Sequence, residues 1–241
     1  RTVAITFDDG YAGVWQHGLP VLREFGLAAT VFVIADALRD EPGALRHHDE
    51  LEIAFRLTTA PSLRLSSFGY PDQPLETEAD RARCLLGVKR RLKSVRDDLR
   101  RLAHRVILER LAVTPAACRA AADAGRHQML DAGGLRRLLA AGWTIGSHSC
   151  SHRTLSQLDD ADLRAEVVTS RDVIERALGV AVTQFAYPYG GPEHIGADAP
   201  RVVAAAGYRY ALTAQPGAVG PDTDWFHVPR VSFDELMALA G

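Results

Sequence analysis

The sequence predicts an α/β fold built on a parallel sheet. First, short apolar, β-branched runs alternate with amphipathic stretches of helical period. Second, 241 residues suit one large domain, an α/β barrel of that length being ordinary. Third, no GxGxxG follows the first strand-like run and no GxxxxGK-Ser/Thr loop occurs, which removes the main support for dinucleotide and phosphate-loop versions of the class. The alternation alone allows a closed barrel or an open, doubly wound sheet.

The first run, Val3–Phe7, is short and β-branched and stops at the turn signal Asp8-Asp9-Gly10. It reads as a core strand whose last residues emerge at a sheet or barrel edge. Helical Leu19–Phe25 precedes strand Ala28–Ile34, Gly133–Ala141 precedes Trp143–Ser147, and Asp159–Leu178 precedes Thr183–Ala186. Pro200–Ala206 leads to Tyr208–Thr213, and Val228–Val231 is the last strand expected. Residues 40–128 break the alternation and read as a helical insertion in an otherwise single domain, 1–241. Within it Leu85, Val88, Leu92, Val95, Leu99, Leu102 and Val106 recur at three- and four-residue steps, the seam of one long helix. That seam predicts packing on the barrel or on a second inserted helix, or a dimer through the helix at 85–106.

Charge is uneven. From Asp80 to Leu111 eleven Lys or Arg face four acids, a net +7, which leaves −9 for the rest of a chain whose formal charge is −2. A solvated helix face would look like this, as would a surface that steers an anionic polymer or lipid headgroup. No nucleic-acid partner is expected. Hydrophobic and charged contents of 47% and 24% are those of a soluble globular protein, and no apolar run approaches the roughly 20 residues of a transmembrane segment. Three cysteines, odd in number and widely spaced, argue against a disulfide framework. No targeting segment precedes the first strand, so cytoplasm and cell envelope both stay open.

Two clusters carry chemistry. Asp8 and Asp9 sit side by side at a strand's carboxyl end, the face that binds ligands in α/β architectures, where their repulsion must be offset by a cation, a proton or separate hydrogen bonds. A solvated turn would carry the same letters. In Gly146-Ser147-His148-Ser149-Cys150-Ser151-His152, two histidines four apart lie on one face of a helical turn and can reach one cation. With Asp9 as third ligand they describe a catalytic zinc, or a cobalt, nickel, manganese or iron site, with positions left open. The same donors form the facial triad of non-haem iron oxygenases. Cys150 points away from that face and is not assigned as a ligand.

Taken together, Thr6-Phe7-Asp8-Asp9-Gly10 and His148-Ser149-x-x-His152 closely resemble the polysaccharide deacetylases, the family of the NodB-like catalytic domain and of carbohydrate esterase family 4. YAGVWQHGLPVLREFGLAATVFV resembles the family's first helix and second strand, GWTIGSHSCSHRTL its metal-binding strand end, and Phe185-Ala186-Tyr187-Pro188-Tyr189-Gly190 its third motif. The resemblance covers both ends of the chain but not the insert. It implies a distorted (β/α) barrel and a metal-dependent hydrolase that removes N-acetyl groups from the N-acetylated sugars of a polysaccharide, glycoconjugate or lipid-linked sugar. Asp9, His148 and His152 would hold the metal, Asp8 would be the general base, and the backbone N–H of Tyr189 would hold the developing oxyanion.

The chain departs from the family pattern in three places. Ala186 stands where the common third motif has an arginine that orients the base, and Arg230 in His227-Val228-Pro229-Arg230 is the candidate replacement. Asp224-Trp225 matches the aspartate-tryptophan motif only loosely in spacing. No late leucine-x-histidine motif, the usual source of the general acid, precedes Gly241; His227 or His194 could replace it. Without an acid the chain would be a catalytically impaired, carbohydrate-binding relative that retains the metal site. Tyr187, Tyr189 and Trp225 offer apolar walls for a sugar ring, or core packing. His47-His48-Asp49-Glu50 has metal-ligand residue types but opens a predicted helix, where acids favour the positive dipole end; Asp159-Asp160-x-Asp162 reads as a helix cap.

Overall fold

The computed structural model describes residues 2–39 and 44–240. The chain divides into two compact units, Arg1–Asp40 with Met129–Gly241, and Glu41–Gln128.

In the first unit, Ile5–Phe7, Ala29–Val33, Thr144–Ser147, Gln184–Ala186 and Tyr210–Leu212 stand side by side in that order, all parallel. Strand order equals chain order, so successive crossovers of one hand lay their helices on the same face and the sheet curls into a half-barrel. The side-chain period of two then separates two apolar layers. Val31, Val33, Ile145, Phe185 and Ala211 pack outward with Leu135, Leu138, Val173, Ile174, Val202 and Val203 of the covering helices. Phe32, Ala186, Leu212 and Val228 form a smaller cluster on the inner face. Both faces of Ala29–Val33 are therefore covered, which is why it reads as a continuous apolar run. Gly146 lies beside Phe32, whose ring atoms would stand 2.5 Å from any Cβ there.

The helices fall where periodicity placed them: Leu19–Glu24, Ala132–Ala140 and Ala199–Ala205, with Asp160–Arg164 and Ser170–Leu178 joined by a π-turn at Ala165–Thr169. Asp159 caps Asp160–Arg164, accepting from the Asp162 N–H at 2.8 Å. The expected strand Val228–Val231 shrinks to a single parallel bridge, Leu212 to Val228. Pro229 has no N–H to continue the ladder, and the Arg230 N–H donates instead to the Gln215 carbonyl at 2.9 Å.

The second unit is helical, with His47–Leu57, Glu78–Lys93, Asp97–Arg110 and Pro115–Ala120, and a short antiparallel ribbon of Ser62–Leu63 with Gln73–Pro74. Its own core includes Leu51, Phe55, Leu63, Cys84, Val88, Ile107, Leu111 and Cys118. The single helix expected across the apolar seam is corrected to two. Glu78–Lys93 ends at Ser94, and Arg96 is extended before Asp97 and Asp98 begin a new first turn, where acids suit the helix dipole. Val88 and Leu92 are buried in the first helix, but Leu99 and Leu102 of the second are 52% and 43% exposed. Residues 85–106 therefore lie on two helices rather than on one continuous seam.

His47-His48-Asp49-Glu50 opens the helix His47–Leu57. Arg100 donates to His47 Nε2 at 2.9 Å, occupying the lone pair that a metal would need, while His104 Nε2 lies 3.3 Å from Glu50. Burial, and then the charges of Arg100, His48, His104 and Arg46, push the His47 pKa down to about 2. Glu50 on the same helix is pushed up by burial, and Asp97 pairs with Arg100. The unfolded chain takes up a proton on this imidazole near pH 6.5 but the folded chain does not, so stability falls as pH drops below about 6.5. Urea unfolding is expected to show a loss of order 2 kcal/mol between pH 7 and pH 5 from this group. His47→Gln should flatten that dependence, and an equally steep loss in the variant would refute the assignment.

Candidate active site

The site lies at the carboxyl ends of the first and third strands. Asp8 and Asp9 follow Ile5–Phe7 directly. Asp9 takes a left-handed backbone, φ 68°, followed by Gly10 at φ 87°, and this sharp bend sends the adjacent carboxylates in different directions.

Asp8 meets Arg230. The guanidinium donates from Nη1 to Oδ1 and from Nη2 to Oδ2, both at 2.8 Å, and is itself fixed by Nε to the Thr213 carbonyl and Nη1 to Thr6 Oγ1. Its carbon stands 5.9 Å over the Phe32 ring. Burial by itself would raise the Asp8 pKa; His148 and the Arg230 fork outweigh it and hold the carboxyl below its usual value.

Asp9 meets the histidines. Its Oδ1 lies 3.5 Å from His148 Nε2 and 3.3 Å from His152 Nε2. One ligand atom from each of the three residues falls within 4.8 Å of the others, and among the described residues no other such cluster occurs. His148 Nδ1 is 2.7 Å from the Ala186 carbonyl, which can only accept. That bond fixes the Nδ1–H tautomer and turns the Nε2 lone pair toward Asp9. Asp9 Oδ1 is buried yet has no hydrogen bond. A buried anionic oxygen facing two imidazole nitrogens fits a divalent cation, and the two-nitrogen, one-oxygen donor set fits zinc or a neighbouring first-row ion.

The helical turn expected for His148–His152 is not there. The segment is a loop: the His148 N–H extends the strand pairing to the Val33 carbonyl at 2.8 Å, and Ser149 and His152 then adopt left-handed φ of 65° and 60°. The imidazoles converge because the chain doubles back, with the His152 N–H on Ser149 Oγ at 3.0 Å. Cys150 points elsewhere, as expected; its buried thiol donates to Asp36 Oδ1 at 3.3 Å, and burial followed by that carboxylate pushes it up to about 12.

Tyr189 also has a left-handed backbone, φ 62°, and its ring stands 4.7 Å from the His152 ring and 5.2 Å from that of His194. Of the two histidines considered for the acid, His194 thus joins the aromatic chain leading to the metal-type cluster. His227 lies apart from that chain: it is 42% exposed, with Nδ1 2.7 Å from Asp224 Oδ2. Tyr187 is corrected as a sugar platform. It is 1% exposed, its ring packs on Phe185, and its hydroxyl donates to the Phe226 carbonyl at 2.9 Å, so neither ring face is open. Trp225 is half-exposed against Tyr210. What sequence reading missed is that Ala186 contributes through its carbonyl, and that Thr6 Oγ1 and the Thr213 carbonyl steady Arg230; the two backbone acceptors leave no trace in residue type.

The polysaccharide deacetylase family model matches residues 1–67 and 108–211. The matched residues include Asp8, Asp9, His148, His152 and Tyr189, and stop short of Trp225, His227 and Arg230. Among curated proteins, YxkH of Bacillus subtilis, whose name assigns it to polysaccharide deacetylases, is 45% identical over 38 residues, 16% of this chain and 14% of that protein. Among solved structures, the BpsB deacetylase domain from Bordetella bronchiseptica aligns with a TM-score of 0.55 and 20% identity, over 93% of this chain and 68% of that one. Deacetylase PplD of Streptococcus pyogenes, solved with acetate, aligns with a TM-score of 0.57 and 14% identity, over 98% and 69%. At such identities the likeness is one of fold. Because the family model matches more than half of the chain, Asp8, Asp9, His148 and His152 among the matched residues, the chain belongs to the polysaccharide deacetylase family.

Proposed function

We propose that this chain hydrolyses the N-acetyl groups of N-acetylated sugars in a polysaccharide or glycoconjugate, with a divalent metal held by Asp9, His148 and His152. The observation that carries the reading is the convergence of those three residues on one point next to an ionised, arginine-clamped Asp8. The bound ion, most simply zinc, would supply Lewis-acid polarisation and make water acidic enough to react near neutral pH.

The protein's part follows from its geometry. Asp9 is committed to the cation, so Asp8 alone remains to take a proton from the attacking water. Arg230 keeps it ionised and aimed. The water oxygen adds to the acetamide carbonyl carbon, and the N–H of Tyr189 donates to the oxygen on which negative charge develops. The C–N bond then breaks with the pair going to nitrogen, which must receive a proton, since an amide anion is a prohibitive leaving group at neutral pH. His194, near Tyr189, is the proposed donor, and His227, oriented by Asp224, is its competitor. Neither histidine stands in a leucine-x-histidine motif, and the second reading is therefore a glycan-binding relative without turnover.

Acetate release separates the two. Zinc-loaded protein is expected to liberate acetate and a free amine from N-acetylglucosamine oligomers or from N-acetylated cell-envelope glycans, with His194→Asn losing more activity than His227→Asn. Binding of those glycans with no acetate released above a protein-free blank would establish the non-catalytic relative instead.

A further inference from the structure

The loop carrying His148 and His152 holds two non-glycine residues at left-handed φ, Ser149 and His152. Of five such residues among those described, four are Asp9, Ser149, His152 and Tyr189. Each costs on the order of 1–3 kcal/mol and persists only where the surroundings over-determine it. Something must therefore hold this loop in the shape that brings Nε2 of both histidines to Asp9.

Glu166 meets that need. It lies in the π-turn Ala165–Thr169, on the face of the helical run that also buries Leu163, Val167, Ser170, Val173 and Ile174. Although it is only 5% exposed, its carboxylate is fully engaged with the loop. Oε2 accepts from the N–H groups of Cys150 and Ser151 at 3.1 and 2.9 Å, and Oε1 accepts from Ser151 Oγ. Arg153, at 3.9 Å from Oε1, adds a cation beside the carboxylate while pairing with Asp162 at 2.6 Å. The two backbone donors it satisfies belong to the residues between the histidines, where the chain doubles back and no ladder partner is available. A π-turn inserts one extra residue into the helix and re-aims what it carries, and such turns recur at functional sites.

We infer that Glu166 is the positioning residue of the metal site: its carboxylate, presented by the π-turn, fixes the His148–His152 loop in the ligating conformation before any ion binds. The inference rests on the metal-site reading above and adds to it a residue that touches neither substrate nor ion. The sequence does carry a signal for it, a carboxylate within the apolar stripe Leu163-x-x-Glu166-Val167, a place a charged side chain occupies only when paired.

The test is cobalt titration of the metal-free full chain, followed by visible absorbance, with thermal melts of each metal-free protein alongside. Glu166→Ala should weaken cobalt affinity about 10- to 100-fold, the usual cost of losing an outer partner of a metal ligand. Glu166→Gln, whose amide oxygen can still accept both N–H groups, should bind within a few-fold of wild type. Should Glu166→Ala not fold, Ser151→Ala, which removes one of the three bonds, is expected to weaken binding about 3- to 10-fold. Affinity unchanged in Glu166→Ala, or in Ser151→Ala in its place, overturns the inference even if melting drops, because the carboxylate would then serve only stability. A Gln variant as weak as the Ala variant also overturns it, since bare negative charge would then be the cause. Failure of wild type to bind cobalt at one equivalent would instead refute the metal-site reading.

Discussion

Asp8→Asn is expected to lower deacetylation by about 10²–10⁴-fold, the contribution of a positioned general base, or roughly 3–5 kcal/mol of transition-state stabilisation. Bound zinc should be unchanged, because the ligating carboxylate in the proposed site is Asp9 and the two side chains leave the bend in different directions. Asparagine matches aspartate in size but cannot accept a proton, and its amide NH₂ would face an arginine N–H in place of one of the two 2.8 Å bonds from Arg230. Loss of that bond should also cost some stability, since the side chains of Asp8 and Arg230 are only 32% and 17% exposed and an arginine N–H is left without its acceptor. The decisive comparison is kcat with metal content measured on the same samples. Activity within about threefold of wild type at full metal occupancy would remove Asp8 from the mechanism.

Removing the metal is expected to have an equally large effect by a different route. Chelation should abolish acetate release, one equivalent of zinc or cobalt should restore it, and His148→Ala should not recover at that dose. His148 is the more demanding of the two histidines to replace: it is buried, and its Nδ1–H is committed to the Ala186 carbonyl, so truncation also leaves that acceptor unpaired inside the protein. A stability readout accompanies the activity. An ion present at a hundredfold excess over its dissociation constant stabilises the folded state by about 2.7 kcal/mol, so wild type should melt higher with zinc and His148→Ala should not shift. An equal shift in both proteins would place the ion elsewhere.

Much of this was written in residue type and order. A β-branched run ending in Asp-Asp-Gly reads as a strand that stops, and acids at its carboxyl end fall on the sheet's ligand-facing edge, although a solvated turn would carry the same letters. Alternating runs and amphipathic stretches imply parallel strands, and the helices lie within a residue or two of their periodic signals because burying an apolar stripe is a local demand. The grouping of Asp9, His148 and His152 was likewise suggested by residue type, since few residue types ligate metals, and the three do lie together.

Tertiary structure decided what depends on distance in the chain or on backbone shape. Arg230 reaches Asp8 across 222 positions, and the sheet's curl joins them. The four-residue spacing of the histidines suggested a helical turn, but left-handed backbone at Ser149 and His152 does the work, and φ is not encoded in a spacing. The apolar seam at 85–106 is real in sequence yet broken after Lys93, because heptad spacing describes which residues are apolar and says nothing of a turn placed between them. Tyr187 looked like a sugar platform until burial closed both its faces. The sequence alone thus determined which atoms are available for chemistry; the fold determined which of them meet, because convergence is set by strand order, by left-handed bends and by a buried carboxylate contributed from a neighbouring helix.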